Sequence, residues 1–282
     1  MKYAVCTIAL RDRPVDKAFA LIRASGYQYA DIHPCHLPLA LAPAEVAGIV
    51  DLARSHGIAI GSLASGVGDG LDDPDAGKRQ AAVLQLKQCI DQATQLGATV
   101  IRTGLGDLTE YDSRMRDFVV PALEEALAYA APRNVKIGVE THSGGITQTV
   151  EGCCQVCAAI PSEHFGILYD PGNLLGVLQD YKKLLDLIPD RIVHVHLKDG
   201  FPATFNDQYA HQRLSCTAFG KGQLDIPFIL RQLGATGYKG FVSVEYEAWH
   251  PEYHLPPVET GLKDCLGYLN AAISPPEPRC PA

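Results

Sequence analysis

The sequence lacks the features that would place the protein on nucleic acid, in a membrane or outside the cell. Its formal net charge is -8 and its pI is ≈ 5.6, with no cluster of lysine and arginine to form a basic stripe. No apolar run approaches the roughly 20 residues of a membrane span, and the N-terminus has no signal pattern. These absences predict a cytoplasmic protein with no nucleic-acid partner and no membrane partner.

The cysteines lack the pattern of a disulfide framework. There are nine, an odd number, and they are unevenly spaced, which indicates reduced thiols. Cys153, Cys154 and Cys157 lie together, but their segment is typical of a helix and has no complementary Cys/His pair nearby. We therefore expect structural thiols at these positions.

Short β-like runs alternate with amphipathic helical segments, which is the pattern of a parallel sheet. The predicted strands are Tyr3–Ala9, Tyr27–Ile32, Ile58–Leu63, Thr99–Thr103, Lys136–Glu140, Phe165–Tyr169, Ile192–Leu197 and Gly240–Glu245. The predicted helices are Pro14–Ala24, Pro43–His56, Pro74–Leu96, Glu110–Ala131, Gln148–Ile160, Leu174–Ile188, Ile226–Leu233 and Pro257–Ala272. Eight such units predict an α/β fold, a single (β/α)8 TIM barrel over residues 1–273. A proline-rich tail at 274–282 follows it.

Helix ends also have recognisable residues. Asp73 and Asp225 are predicted N-caps of the helices that follow them. Glycines close four helices before the next strand, as C-terminal caps often do. They are Gly26, Gly57, Gly97 and Gly237.

The stretch at 191–200 is the most informative in the chain, because it combines a strand period with a polar face. It reads Arg-Ile-Val-His-Val-His-Leu-Lys-Asp-Gly. His194, His196 and Lys198 fall on one face of this strand. A cationic row is costly inside an apolar core unless anions or a metal accompany it.

Three other predicted strands end in carboxylates that would meet this row. Active sites of such barrels lie at the C-terminal strand ends, where Glu140, Asp170 and Glu245 stand. With His196 they form an oxygen-rich set that suits Mn²⁺, Mg²⁺, Co²⁺ or Zn²⁺. His196 is preferred to His194 because it lies nearer the strand end. Taken alone, Asp170 before Pro-Gly would equally organise a turn.

These residues lie in motifs that resemble the xylose isomerase-like barrels of the sugar phosphate isomerase/epimerase superfamily. The motifs are Val-Glu-Thr-His at 139–142, Tyr-Asp-Pro-Gly-Asn at 169–173, His-Val-His-Leu-Lys-Asp at 194–199, Gly-Lys-Gly-Gln-Leu-Asp at 220–225 and Gly-Phe-Val-Ser-Val-Glu-Tyr-Glu at 240–247. The resemblance implies one divalent ion, with Mn²⁺ expected, in a homodimer or homotetramer. Its ligands would be Glu140, Asp170, His196 and Glu245.

The resemblance also implies the chemistry, which is proton abstraction next to a metal-chelated carbonyl of a keto-sugar or related polyol. Glu140 and Glu245 would face opposite sides of an enediolate intermediate, one removing the proton and the other returning it. Lys198 and His142 would stabilise the oxyanion or carry a proton. The alternatives are an ion pair of Lys198 with Asp199 or Asp170, and an ordinary rim position for His142.

Two departures from ketose 3-epimerases leave a second reaction open. Asn173 stands where those enzymes usually carry histidine, and Ile146 stands where they carry a further glutamate. The opening 1–8, Ile-Arg-Thr at 101–103 and Glu-Thr-His at 140–142 are similar to bacterial 3-dehydroshikimate dehydratases. In those enzymes the residue that matches His142 helps abstract a proton, and an arginine that matches Arg102 meets a carboxylate. A metal-dependent dehydratase of a 3-dehydroshikimate- or inosose-like substrate is therefore the alternative function.

Two further classes fit the sequence less well. Endonuclease IV shares this barrel, but it needs three metals, more ligands and a basic groove, so a nuclease is a remote alternative. A non-catalytic regulator would not need the intact set of four ligands.

The remaining candidates would contact substrate from the barrel rim. They are Arg102, Asn173, Arg213 and Trp249. Arg102 suits a carboxylate or phosphate but would equally pair with Asp107, and Trp249 offers a wall for a sugar ring. The segment 200–222, which also carries Tyr209 and His211, is long for such a loop, so we predict a lid or a subunit contact. His33, His36, His250 and His254 are expected to be polar rim residues.

Overall fold

A computed structural model describes residues 1–204, 212–250, 253 and 255–273 of the protein. Its strands are β1 Lys2–Cys6, β2 Tyr29–Ile32, β3 Ala59–Val67, β4 Val100–Thr103, β5 Lys136–Glu140, β6 Phe165–Tyr169, β7 Ile192–Leu197, β8 Asp199–Thr204, β9 Gln212–Thr217 and β10 Phe241–Val244. Eight of them pair in parallel and close a barrel in the order β1-β10-β7-β6-β5-β4-β3-β2. The predicted TIM barrel is confirmed, with β10 as its eighth strand.

The helices surround this barrel. They are α1 Val15–Ala24, α2 Pro43–Ser55, α3 Ala76–Leu96, α4 Val120–Ala130, α5 Val150–Ala159, α6 Pro171–Gly176, α7 Lys182–Leu187, α8 Ile226–Ala235 and α9 Val258–Ile273. Short 3-10 turns lie at Thr7–Leu10, Ala131–Arg133, Ile146–Gln148 and Pro189–Arg191, and a π-helical turn at Met115–Val119 leads into α4. No helix among the described residues combines the length and hydropathy that crossing a membrane requires.

Three predicted elements differ from the structure. The predicted first strand ends early, because residues after Cys6 turn into a 3-10 helix. The predicted helix Leu174–Ile188 is wrong: it is α6 and α7, separated at Leu178, whose φ is 61°. The predicted helix Glu110–Ala131 begins later, at Ser113, and passes through the π turn at Met115–Val119 into α4 without a break.

One predicted cap is wrong and another is confirmed. Asp75, not Asp73, caps α3, because its carboxylate accepts hydrogen bonds from the N–H groups of Gly77 and Lys78. Asp73 instead accepts from the Asp75 N–H at 2.8 Å. Asp225 caps α8 by accepting from the Phe228 N–H at 3.0 Å.

Side chains alternate between the barrel interior and the apolar layer under the helices. On β7, Val195 and Leu197 pack into that apolar layer. His194 and His196 therefore point inwards, where His194 Nε2 lies 3.3 Å from Ser62 Oγ on β3 across the interior. This alternation gives the barrel a polar interior at the C-terminal ends of its strands.

The segment predicted as a lid or subunit contact contains an antiparallel hairpin of β8 and β9, which packs against α6. Asp199 anchors its base, since its carboxylate accepts hydrogen bonds from the N–H groups of Gly220, Gly222 and Leu224. Tyr209 and His211 lie outside the described residues, as do His254 and the tail 274–282. The lid role and the domain limits therefore stay predictions.

The described cysteines are free thiols. Cys153 and Cys157 are buried in α5 and belong to the apolar core. This placement agrees with the prediction of structural thiols in a helix.

Candidate active site

The four predicted metal ligands meet at the C-terminal end of the barrel interior. They are Glu140 at the end of β5, Asp170 after β6, His196 on β7 and Glu245 after β10. One ligand atom from each lies within 4.8 Å of the others. Neighbouring parallel strands end at the same edge, and this brings together side chains that are up to about a hundred residues apart. The arrangement is of the size that one cation needs.

His196 is held between two sets of carboxylates, one at each ring nitrogen. Its Nδ1 lies 3.1 Å from Glu140 Oε1 and 3.8 Å from Glu245 Oε1. Its Nε2 lies 2.7 Å from Asp31 Oδ2. Burial opposes the charged ring, but these acids outweigh it and raise the pKa of His196 well above its usual value. With an ion on Nδ1, the Nε2–H of His196 would still donate to Asp31.

Asp31 is a site residue that the sequence reasoning missed. It is the last residue but one of β2, near the C-terminal end of the strand, and that position is the signal that was available. It is fully buried, and burial alone would raise its pKa. Hydrogen bonds from His194 and His196 outweigh burial and hold the pKa of Asp31 well below its usual range. Asp31 is thus a fixed negative charge that orients His196.

His194 lies one layer below and is completely buried. Its Nε2 is 3.0 Å from Ser243 Oγ, 3.3 Å from Ser62 Oγ and 3.3 Å from Asp31 Oδ2. Burial lowers the pKa of His194, which favours the neutral ring. It is therefore both a core histidine and a neighbour of the aspartate that orients His196.

Arg102 pairs with a predicted ligand rather than with Asp107. Its Nε lies 3.0 Å from Glu140 Oε2. Burial would raise the pKa of Glu140, but Arg102 and the hydrogen bond from His196 reverse this and lower it strongly. Glu140 is consequently held as a carboxylate, which is the form that coordinates a cation.

Lys198 places a second cation on the opposite flank of the set. Its Nζ lies 2.6 Å from Glu245 Oε2 and 3.1 Å from Asp170 Oδ2, so its partners are not the neighbouring Asp199. Burial opposes its charge, but Asp170 and Glu245 raise the pKa of Lys198 well above its usual value. A side chain at Gly172 would crowd this lysine, because a Cβ there would lie 2.9 Å from Lys198 Cγ.

The donor set fits a divalent cation. Asp170 is buried, and burial followed by the like charges of Glu245 and Glu140 raises its pKa to about 7, against the effect of Lys198. Its Oδ1 accepts the Asn173 N–H, whereas Oδ2 makes no hydrogen bond with any described residue despite the nearby ammonium. Asp170 Oδ2 is ion-paired with Lys198 but accepts no hydrogen bond from the described part of the chain, so it retains a lone pair for a divalent cation.

The remaining predicted site residues lie either beside the cluster or on the rim of the barrel. Asn173 donates its Nδ2–H to the Thr141 carbonyl at 3.0 Å and so ties the ends of two strands together. His142 is exposed, and it lines a cavity of about 280 Å³ with Arg102 and Glu140. A larger cavity of about 430 Å³ lies between β2, β3 and α3, but its lining includes none of the four predicted ligands.

Arg213 and Trp249 lie on the rim. Arg213 Nη2 is 3.3 Å from His250 Nε2. Trp249 is 42% exposed, and the Arg11 guanidinium lies 4.5 Å from its ring centre. Arg213 belongs to β9, so the β8–β9 hairpin also contributes to this rim.

Residues 19–271 match the model of the family described as xylose isomerase-like TIM barrel. The chain belongs to this family. The inosose dehydratase of Lactiplantibacillus plantarum is 31% identical over 141 residues, which are 46% of each chain. This chain covers about half the length of the curated relatives it matches first.

Two solved structures share the fold over nearly the whole chain. The 3-keto-D-glucoside 4-epimerase YcjR of E. coli has a TM-score of 0.74 at 16% identity, covering 96% of this chain and 99% of that one. The IOLI protein, solved with a binding zinc atom, has a TM-score of 0.75 at 20% identity, covering 97% and 98%. Relatives of the family are thus epimerases and dehydratases, and at least one neighbour binds a metal.

Proposed function

We propose that this protein is a divalent-metal-dependent isomerase or epimerase of a keto-sugar or related polyol. The observation that carries the proposal is the position of two carboxylates around one cluster. Glu140 and Glu245 end β5 and β10, which are separated in the barrel by β6 and β7. Asp170 and His196 lie between them. A substrate carbon above the cluster is therefore within reach of one carboxylate on each side.

The cation would be held by Glu140, Asp170, His196 Nδ1 and Glu245, with Mn²⁺ the expected ion and Mg²⁺, Co²⁺ and Zn²⁺ as alternatives. When bound, it supplies Lewis acidity, which makes a C–H bond beside a coordinated carbonyl more acidic. Asp31 keeps the Nε2–H of His196 in place, so that Nδ1 stays directed at the cation.

The protein's own groups then divide the proton transfer. Glu140, held ionised beside Arg102, accepts the carbon-bound proton on one face. On the other face, the Lys198–Glu245 pair supplies a proton, because the ammonium lies 2.6 Å from the carboxylate. Removal on one side and delivery on the other invert the carbon, whereas return to the neighbouring carbon isomerises the substrate.

The rim supports a small polar substrate. Arg102 and His142 line the cavity beside Glu140 and offer donors to hydroxyl or carboxylate oxygens. Trp249 presents an exposed ring that suits the apolar face of a sugar. We propose a cytoplasmic homodimer or homotetramer acting on a keto-sugar or related polyol.

A specific observation favours a second candidate, a dehydratase of an inosose- or 3-dehydroshikimate-like substrate. Lys198 is a buried cation between Asp170 and Glu245 and is placed to give a proton to a departing hydroxide. The similarity to inosose dehydratases points the same way. Both candidates begin with the same proton abstraction and differ in whether water leaves.

The test is mass spectrometry of ketoses, inososes and 3-dehydroshikimate after incubation with Mn²⁺-loaded protein in heavy water. Epimerase or isomerase activity incorporates deuterium at carbon while the substrate keeps its water. Loss of water from an inosose or 3-dehydroshikimate would instead establish the dehydratase. Glu140→Gln and Glu245→Gln should each abolish turnover, and the exposed pair variant Asp51→Asn should not.

Exchange that survives EDTA treatment, or substantial turnover in either glutamine variant, would contradict the proposed mechanism. No exchange and no loss of water with any of these compounds would reject the proposed substrate class.

A further inference from the structure

The second nitrogen of His196 faces a separate group of potential ligands. Cys6, Asp31 and His196 each place one ligand atom within 4.8 Å of the others. All three are buried, with exposed fractions of 0%, 0% and 1%. This group shares only His196 with the carboxylate cluster, and its Asp31 Oδ2 lies 2.7 Å from Nε2, whereas Glu140 Oε1 lies 3.1 Å from Nδ1.

Cys6 points into the barrel, not into the apolar layer outside it. Its neighbour Val5 belongs to the hydrophobic core under the helices, whereas Cys6 does not. Alternation along β1 therefore turns Cys6 towards the interior, where it lies beside Asp31 at the end of the paired strand β2. The register pairs these two residues directly, Cys6 with Asp31.

Asp31 retains capacity for a ligand on this side. Its Oδ2 accepts from the histidines, but its Oδ1 makes no hydrogen bond with any described residue. A fully buried, unpaired carboxylate oxygen beside a thiol and an imidazole is costly in the absence of a cation. The unpaired Asp31 oxygen distinguishes this group from a buried cysteine that has no other ligand beside it.

We propose that Cys6, Asp31 and His196 Nε2 form a second metal site, selective for thiophilic divalent cations such as Zn²⁺ and Cd²⁺. Thiolate, imidazole and carboxylate are a set that soft and borderline ions prefer, and Mn²⁺ and Mg²⁺ do not. The four-residue cluster has no thiolate, so it does not select these ions over harder ones. The barrel thus holds two sites of different chemical preference, one on each side of the His196 ring.

The two sites exclude each other through the proton on His196. An ion on Nδ1 leaves the remaining proton on Nε2, donated to Asp31 at 2.7 Å. An ion on Nε2 requires the opposite arrangement, with Nδ1–H donated to Glu140 at 3.1 Å. The two sites share one imidazole ring, and ions on both of its nitrogens at once would require the imidazolate, which has no N–H left for Asp31 or Glu140. Binding of the soft ion also releases the Cys6 thiol proton to solvent.

This inference does not depend on the proposed reaction, because it is tested by binding alone. Cd²⁺ is titrated into metal-free protein while the ultraviolet thiolate-to-cadmium charge-transfer band is recorded. The wild type should show a band that saturates at one equivalent. Cys6→Ser and Cys6→Ala should lose it, whereas Cys265→Ser, which removes an equally buried thiol from α9, should keep it. Circular dichroism of each variant checks that it is folded.

A second titration tests the exclusion. Mn²⁺ is bound first, and its release by Cd²⁺ is followed from the electron paramagnetic resonance signal of free Mn²⁺. The Cys6→Ser protein should need at least about tenfold more Cd²⁺ than the wild type for half release, a typical effect of losing one strong partner. Equal Cd²⁺ requirements, or a thiolate band that persists in folded Cys6→Ala, would show that the soft ion uses only the four-residue cluster.

Discussion

The two halves of the barrel contribute differently to one site. The ligand wall (β5, β6, β7 and β10) carries the four residues that would bind a cation. The support wall (β1 to β4) carries Asp31 and Arg102, which reach across the interior to His196 and Glu140. The ligand wall therefore supplies donor atoms, and the support wall fixes their direction and charge. A metal site of this kind depends on closure of the barrel as much as on its ligands.

The largest effect is expected from the ligand wall, at Asp170. Asp170→Asn should reduce Mn²⁺ affinity and turnover by on the order of a thousandfold or more, beyond the roughly ten- to hundredfold typical of outer partners. Asparagine is as good an N-cap as aspartate. The bond to the Asn173 N–H that begins α6 should therefore persist. Calorimetric titration of Mn²⁺ and thermal unfolding with and without Mn²⁺ measure both consequences.

The metal-free variant should melt close to the wild type, and only the Mn²⁺-dependent rise in melting temperature should disappear. An undiminished rise would remove Asp170 from the ligand set. In that case only Glu140, His196 and Glu245 would remain as ligands on the ligand wall.

The four ligands of the ligand wall could be predicted from the sequence, because each lies at or next to the end of a strand within a recognisable motif. Strand period and strand ends place Glu140, Asp170, His196 and Glu245 at one height without any knowledge of distances. The same reasoning gave the barrel and its order of elements. It failed where the helix after β6 breaks at Leu178, since helical periodicity continues through that residue.

The contacts that the support wall makes across the barrel could not be predicted in the same way. Which side chains meet across a barrel depends on the stagger of its strands, and the pairing of β2 with β3 shifts register between Ala30 and Asp31. Arg102 illustrates the consequence. Its sequence neighbour Asp107 was the simple partner to predict, yet the barrel places it against Glu140 from the next strand.

A smaller effect is expected on the support wall, at Asp31. Asp31→Asn retains the shape of the side chain but removes the charge that faces His196 Nε2 at 2.7 Å. Mn²⁺ affinity should fall by about ten- to hundredfold, as it does when the carboxylate behind a ligating histidine is lost. Calorimetric titration measures this, and Asp51→Asn, an exposed aspartate paired with Arg54, is the matched control. Unchanged affinity would mean that His196 is oriented by packing alone.

The smallest effect should come from the layer of the barrel interior beneath the site, where Ser243 on β10 contacts His194 on β7. Ser243→Ala removes the 3.0 Å contact with His194 Nε2, but Ser62 and Asp31 both remain 3.3 Å from that nitrogen. The free energy of unfolding should fall by about 1 kcal/mol, the usual cost of one lost hydrogen bond. Urea denaturation measures this loss, and Mn²⁺ affinity should change less than about threefold because Asp31 still holds His196. A fall in Mn²⁺ affinity as large as that of Asp31→Asn would show instead that His194 transmits orientation from this lower layer to Asp31 and His196.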